Sequence, residues 1–185
     1  LLGKSLERFF ESGIGTTVPS AYVIDVQSDQ EGLVRAAAPD ITLFPNIRAR
    51  ILRIGERNIQ ERLRDPQAKE DRELGREYNL TYRTDLLDSE TLTVGEWQGE
   101  RSGEVSVEEG FAKRVDIPLG TEMEFLIQGV RVVATVTSFR LADTTSGLPY
   151  FYFVFPPADL ARFPASLFGY SDATPQELRA LERTL

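Results

Sequence analysis

Histidine and cysteine, the side chains that most often transfer protons, attack carbonyls or bind transition metals, are both absent from this 185-residue chain. Their absence removes imidazole bases, thiolate nucleophiles, disulfide frameworks and the usual ligands of zinc and iron. The remaining candidates are carboxylates: Asp85, Asp88 and Glu90 in DLLDSE, and Glu108 with Glu109 in SVEEGF. A pair of acids can hydrolyse a glycoside when the fold holds them roughly 5 to 9 Å apart. Sequence proximity does not set that distance, and solvated turn and helix-cap acids explain the same residues. Ser106 would need an activating base, and with no imidazole only Lys113 is on offer. DPQAKED, residues 65–71, gathers acids without the ligand spacing of a calcium loop. Arg48 and Arg50 alternate along a strand-like run and could clamp an anion or simply face solvent. No glycine cluster forms a phosphate-cradling loop ahead of a helix. The residues therefore assign no catalytic, cofactor-binding or metal-binding position.

The overall charge narrows the partners. With 29 acids against 21 bases the formal charge is −8 and the pI about 4.7, opposite to what a nucleic-acid binder needs to neutralise phosphates. At 41% hydrophobic residues the chain can bury a sizeable core. No apolar run reaches the roughly 18 residues of a membrane span, and no signal peptide is evident. A start at Leu1 without Met fits a piece of a longer protein.

The elements that must carry these residues read as α+β. LLGKSLERFFES spaces Leu2, Leu6, Phe9 and Phe10 as an amphipathic helix. AYVIDVQ (21–27) is strand-like, and Ser28 or Asp29 is placed to cap a helix in SDQEGLVRAAA that Pro39 stops. ITLFPNIRARILRI (41–54) predicts a strand with an edge or bulge at Pro45. Residues 57–75 are almost wholly polar and read as a connector, partly helical, and the most mobile segment of the chain. NLTYRTDLL and TLTVGEW resume strand character. Ser106 with Glu109 has capping-box spacing, which predicts a helix with Val107, Phe111 and Val115 on its apolar face. TEMEFLI and VRVVATVTSFR, joined by Gln128-Gly129, predict a hairpin. YFYFVF (150–155) predicts a central strand, or one with one face on the core and the other on a partner, PPADLARF a short helix, and TPQELRALERTL a last helix capped by Thr174.

Six stretches in order, AYVIDVQSDQ, LFPNIRARILRIG, REYNLTYR, GEVSVEEGFAKRVDIPLGTEMEF, ATVTSFR and YFYFVFPPADL, resemble the large extracytoplasmic (periplasmic core) domain of FtsX/MacB-type ABC transporter permeases, above all the YbbP-like predicted permeases. The resemblance spans nearly the whole chain. It implies a two-lobed MacB-like periplasmic core, with a small α/β sandwich lobe beside a β-rich lobe. Its parts would be a juxtamembrane helix at 1–15, an α/β (porter-like) lobe at 16–56 with 148–170, and a polar linker at 57–75. A β-rich lobe at 76–147 and a C-terminal helix at 171–185 leading to the membrane would complete it. The implied location is the inner (cytoplasmic) membrane, with the domain facing the periplasm or exterior.

The resemblance also implies a non-catalytic domain, with no cofactor of its own, that transmits ATP-driven motion to a lipid-like, lipoprotein or protein partner. ATP would be hydrolysed by a separate cytoplasmic ATP-binding subunit, reached through the membrane part, and a secreted lysophospholipase or thioesterase is a further implied partner. No nucleic-acid partner is expected. Two rival readings rest on the residues alone: a secreted carboxylate-dependent hydrolase, and a stand-alone protein-interaction module.

Overall fold

A computed structural model describes Pro19 and residues 21–65, 67–143 and 148–172; the terminal helices expected at 1–15 and 171–185 lie outside this range, apart from Ser171 and Asp172. The chain forms two compact units. One joins the described parts of 1–46, 143–150 and 165–185, and the other joins Ile47–Ala142 with Phe151–Pro164.

The first unit is a three-stranded antiparallel sheet under one helix. Its strands are β1 (Ala21–Val26), the first part of β2 (Thr42–Ile54) and β10 (Ser166–Ser171), with β10 in the middle. The helix α1 (Glu31–Ala37) and the loop after it bury Val34, Ala38 and Ile41 against Val23 and Val26, with Leu43 and Leu167 partly buried around them. Burial of these aliphatic side chains holds the unit, at about 1.5 to 3 kcal/mol for each Val or Ile fully removed from water. Gln30, not Ser28 or Asp29, precedes the helix, and it makes no side-chain cap. Asp40 ties down the end of β10 instead, accepting from the Ser171 hydroxyl at 2.9 Å and from the Asp172 amide at 3.0 Å. Pro45 lies opposite Leu167 on a strand that is an edge of this small sheet, where a missing amide hydrogen is tolerated.

The second unit is built on a barrel-like sheet. Its strands are Ile47–Ile54 of β2, β4 (Glu77–Tyr82), β6 (Glu104–Glu108), β7 (Glu122–Ile127), β8 (Val130–Ala142) and β9 (Phe153–Phe155). Pairing runs from β2 to β4, β9, β6, β8 and β7, and β7 pairs back onto β2. Two further strands hang from this circuit, β3 (Arg57–Asn58) on β2 and β5 (Glu90–Gly95) on β8. Alternation along each strand sends Ile47, Ile51, Leu80, Met123, Phe125, Ile127, Phe153 and Phe155 inward, all essentially without exposure. Phe125 meets Phe153 and Phe155 edge to face at 5.2 and 5.3 Å, the arrangement favoured by ring quadrupoles. Gln128 (φ 49°) and Gly129 (φ 87°) make the hairpin between β7 and β8, since both central positions need left-handed backbone.

Three further expectations change here. Of the 150–155 run, expected as a strand of the α/β lobe, Phe151–Phe155 lies in the second unit, where Phe153–Phe155 form β9 between β4 and β6; β10 completes the first unit. Residues 57–75 are not a bare connector. They fold as β3, α2 (Ile59–Arg62) and a 3-10 helix (Lys69–Gly75), burying Ile59, Ala68, Asp71 and Leu74. Their polarity misled because its charges are paired: Asn58 caps α2 through the amides of Gln60 and Glu61, and Asp71 accepts from Arg62 Nε at 2.6 Å. Finally, Ser106 does not cap a helix. It lies inside β6, and α3 (Glu109–Arg114) is capped by Glu108, whose carboxylate accepts from the amides of Gly110 at 2.9 Å and Phe111 at 2.6 Å.

Candidate functional site

The strongest concentration of chemistry in the second unit is a buried arginine and glutamate cluster. Along β8 the inward positions run Val132, Ala134, Val136, Ser138 and then Arg140. A guanidinium placed there is tolerated only if every side of it is met by an acceptor. Arg140 donates from Nε to Glu90 Oε1 at 3.0 Å, from Nη1 to the Ser106 carbonyl at 2.9 Å, and from Nη2 to the Phe151 carbonyl. One side chain thereby joins β8, β6, the start of β5 and the approach to β9.

Glu90 is shared. Its second oxygen accepts from Arg83 Nη2 and, at 3.4 Å, from the Leu87 amide. Arg83 also donates from Nε to the Asp85 carbonyl at 3.0 Å, and its guanidinium lies 5.6 Å from the centre of the Trp97 ring. Trp97 Nε1 in turn donates to the Thr84 carbonyl at 2.6 Å, so the segments on either side of β5 are stitched together. Glu108, opposite Arg140 across the β6–β8 pair, adds a second negative field to balance two arginines against one buried glutamate.

The titration behaviour follows from this geometry. Burial alone would raise the Glu90 carboxyl, but Arg140 and Arg83 outweigh it and hold the group below the ordinary glutamate range. Burial brings the Arg140 guanidinium down to about 10 despite the pull of Glu90, and burial lowers Arg83 as well. At neutral pH all three are charged. Glu90 has both oxygens occupied by donors and is held away from protonation, which is the reverse of what a general acid requires. The cluster is a tie among strands.

A second, half-exposed group lies where the 3-10 helix, β4 and α3 meet. Arg114 donates to Glu73 from Nε at 3.0 Å and Nη2 at 3.1 Å, and Arg76 reaches the same carboxylate at 3.3 Å. The Arg114 hydrogen bond lowers the Glu73 carboxyl and raises Arg114 itself. Below them Tyr78, Phe111 and Tyr152 stack edge-on and tilted, with ring centres 4.6 to 6.0 Å apart. The arginines cover this aromatic floor, Arg76 over Tyr78 at 5.0 Å and Arg114 over Phe111 at 5.5 Å.

Each acid that could have paired for hydrolysis is exposed or engaged otherwise. Asp85 and Asp88 are exposed, Glu90 is locked between arginines, Glu108 is a helix cap, and Glu109 pairs with Lys113 at 2.8 Å. Ser106 is fully buried with its hydroxyl 3.4 Å from Arg140 Nη1, whereas Lys113 is turned to solvent, so no Ser-Lys dyad forms. Asp65 makes a local turn by accepting from the Gln67 amide at 2.9 Å. Arg50 is a solvent-exposed partner of Glu77, and Arg48 is exposed beside it on β2. Among the described residues, no three His, Cys, Asp or Glu side chains are grouped to hold a metal ion. What sequence reasoning missed is Arg140. The signal was there: an arginine in phase with the inward-facing Val132, Ala134, Val136 and Ser138.

Among known proteins, the chain is similar to an ABC transporter permease. That relative is the uncharacterized ABC transporter permease YbbP of Escherichia coli (strain K12), 30% identical over 171 residues, which take in 90% of this chain and 20% of that protein. The chain thus spans about a fifth of the length of the curated relative it matches. No family model and no solved structure matches the chain. Among the described residues, no helix is long and apolar enough to cross a membrane.

Proposed function

We propose that this chain is the extracytoplasmic domain of a bacterial FtsX/MacB-type ABC permease. In that role it carries motion, powered by ATP hydrolysis in a separate cytoplasmic subunit, to a lipid-like, lipoprotein or protein partner outside the membrane. A secreted lysophospholipase or thioesterase is one such partner. The observation behind this assignment is the similarity over 90% of the chain to an ABC transporter permease.

The chemistry of the second unit is compatible with it. Transmitting force calls for parts that hold their shape, and close-packed interiors resist compression. A buried charge cluster that joins several strands adds directional ties to that packing. The two compact units correspond, in this proposal, to the lobes of a MacB-like core, with the chain passing between them at Asn46–Ile47, Ala142–Asp143, Tyr150–Phe151 and Pro164–Ala165. No reacting group is required of the domain itself, and Glu90 in particular is held as a structural anion.

The test is hydrogen exchange on the full-length permease reconstituted in lipid nanodiscs with its ATP-binding subunit. Trapping that subunit with ATP and vanadate should alter amide protection inside residues 21–172. Identical exchange in the apo and trapped states would remove force transmission from the account.

A further inference from the structure

The sheet of the second unit ends at β5. Among the described residues this strand pairs on one side only, with β8, so the backbone donors and acceptors of its other side face outward. Natural sheets usually blunt such an edge with charges, proline or cover from a loop, because an open row of backbone groups accepts another strand. Between Thr91 and Gly95, TLTVG, there is neither a charge nor a proline. The one irregularity is a bulge at Thr93, which bends the strand yet leaves Thr91, Thr93, Val94 and Gly95 exposed.

The edge is also apolar. Val94 is 43% exposed and Leu141, on the neighbouring strand opposite Thr91, is 46% exposed. An occupant that satisfied the backbone row would lie directly against Val94, with Leu141 one strand further in. Exposed carboxylates flank the strand, Asp85 and Asp88 before it and Glu96 and Glu100 after it. A second copy of this chain adding strand to strand would therefore set acids against acids in either direction, on a molecule whose formal charge is already −8.

From these features we infer that the outer edge of β5 takes up an extended segment of another protein as an added strand. Its apolar side chains cover Val94, and lysine or arginine on either flank faces Asp85, Asp88, Glu96 and Glu100. A lipid or a helix would leave the outward backbone row unpaired, whereas a strand satisfies it. Binding here needs only the geometry of the edge, so its failure would leave the permease proposal untouched, and the reverse.

The experiment titrates the 185-residue chain with the fluorescein-labelled probe KKVTVTVKK at low salt, reading anisotropy and amide exchange. Saturable binding, with slowed exchange confined to β5 and its turns, is expected. The surface variant Val94→Lys should bind about tenfold more weakly through like-charge repulsion, with its urea midpoint kept close to that of the parent chain. The acid-flanked probe EEVTVTVEE should also bind more weakly, and a probe N-methylated at alternate amides should not bind. Equal affinity for the N-methylated probe, unchanged β5 exchange at saturation, or no binding at about 1 mM, the weakest affinity class considered, would overturn the inference. Concentration-dependent dimerisation abolished by Val94→Lys would overturn it too, in favour of a second copy.

Discussion

Replacing Arg140 with methionine removes the guanidinium while roughly keeping the volume, so the expected loss comes from polar interactions and not from a cavity. The substitution deletes the bonds to Glu90 at 3.0 Å and to the Ser106 carbonyl at 2.9 Å, together with the bond to the Phe151 carbonyl. Breaking a buried ion pair by taking one partner typically costs about 3 to 5 kcal/mol. A buried carbonyl left without a donor adds about 1 to 3 more, although here the two effects overlap in one side chain. Glu90 keeps Arg83, which pulls the total toward the lower figures. We expect Arg140→Met to cost about 3 to 5 kcal/mol, a large part of the roughly 5 to 15 that holds an ordinary domain.

Urea unfolding followed by tryptophan fluorescence suits the measurement, because Trp97 is the only tryptophan and reports from beside Arg83. The m-value should stay constant. Glu90→Leu alone strands two arginines, but the double variant strands only Arg83, which is partly exposed and can turn toward water. The double variant should therefore be more stable than the sum of the singles by at least about 1.5 kcal/mol. A loss below about 1 kcal/mol for Arg140→Met, or strict additivity, would refute a clamp role for this cluster.

The relocated helix cap gives a paired test: Glu108→Ala should cost about 1 to 2 kcal/mol, while Ser106→Ala, whose hydroxyl has one long contact at 3.4 Å, should cost no more than about 1. The reverse order in denaturant titrations would restore the capping-box reading. Gly95 has φ 78° and a methyl there would collide with the Thr137 carbonyl oxygen, so Gly95→Ala should cost on the order of 2 kcal/mol or more. Gly120 has φ 80° with open space around it, and Gly120→Ala should cost only about 1, the left-handed penalty alone. Equal losses for the two glycines would mean that the close approach of β5 to β8 is not as described. The depressed Glu90 carboxyl means that the folded state resists protonation more than the unfolded chain. Its contribution is therefore present above the ordinary glutamate value near 4.3 and lost as the pH falls through the lower folded value. Glu90→Gln should flatten the acid limb of a stability-against-pH curve, and an unchanged limb would contradict the assignment.

Local patterns in the chain foretold the elements whose signals are local. The β7–β8 hairpin follows from alternation around Gln128-Gly129, the burial of 153–155 follows from an aromatic run, and β1 from its β-branched content. Signals that depend on partners were read less well. Ser106 and Glu109 have capping-box spacing, but β6 runs on to Glu108, and pairing with both β8 and β9 outweighs the local cap. The 57–75 stretch looked like a linker because its stability rests on ion pairs and a few apolar anchors, Ile59 and Leu74 among them. SLFGYS, with a glycine at its centre, gave no strand reading; Gly169 is required there because a methyl would strike the Thr42 carbonyl of β2. The buried cluster joins residues 83, 90, 106, 140 and 151, a constellation that only the sheet circuit assembles.

Because the chain contains no cysteine, one introduced thiol can report which side of a membrane it faces. In an otherwise cysteine-free full-length parent expressed in intact cells, Val133→Cys sits at an exposed position and Ala134→Cys at a buried one next to it. A membrane-impermeant maleimide should label Val133→Cys in intact cells, and Ala134→Cys only after denaturation. Labelling of Val133→Cys that appears only after lysis would place the domain on the cytoplasmic side and contradict an extracytoplasmic role.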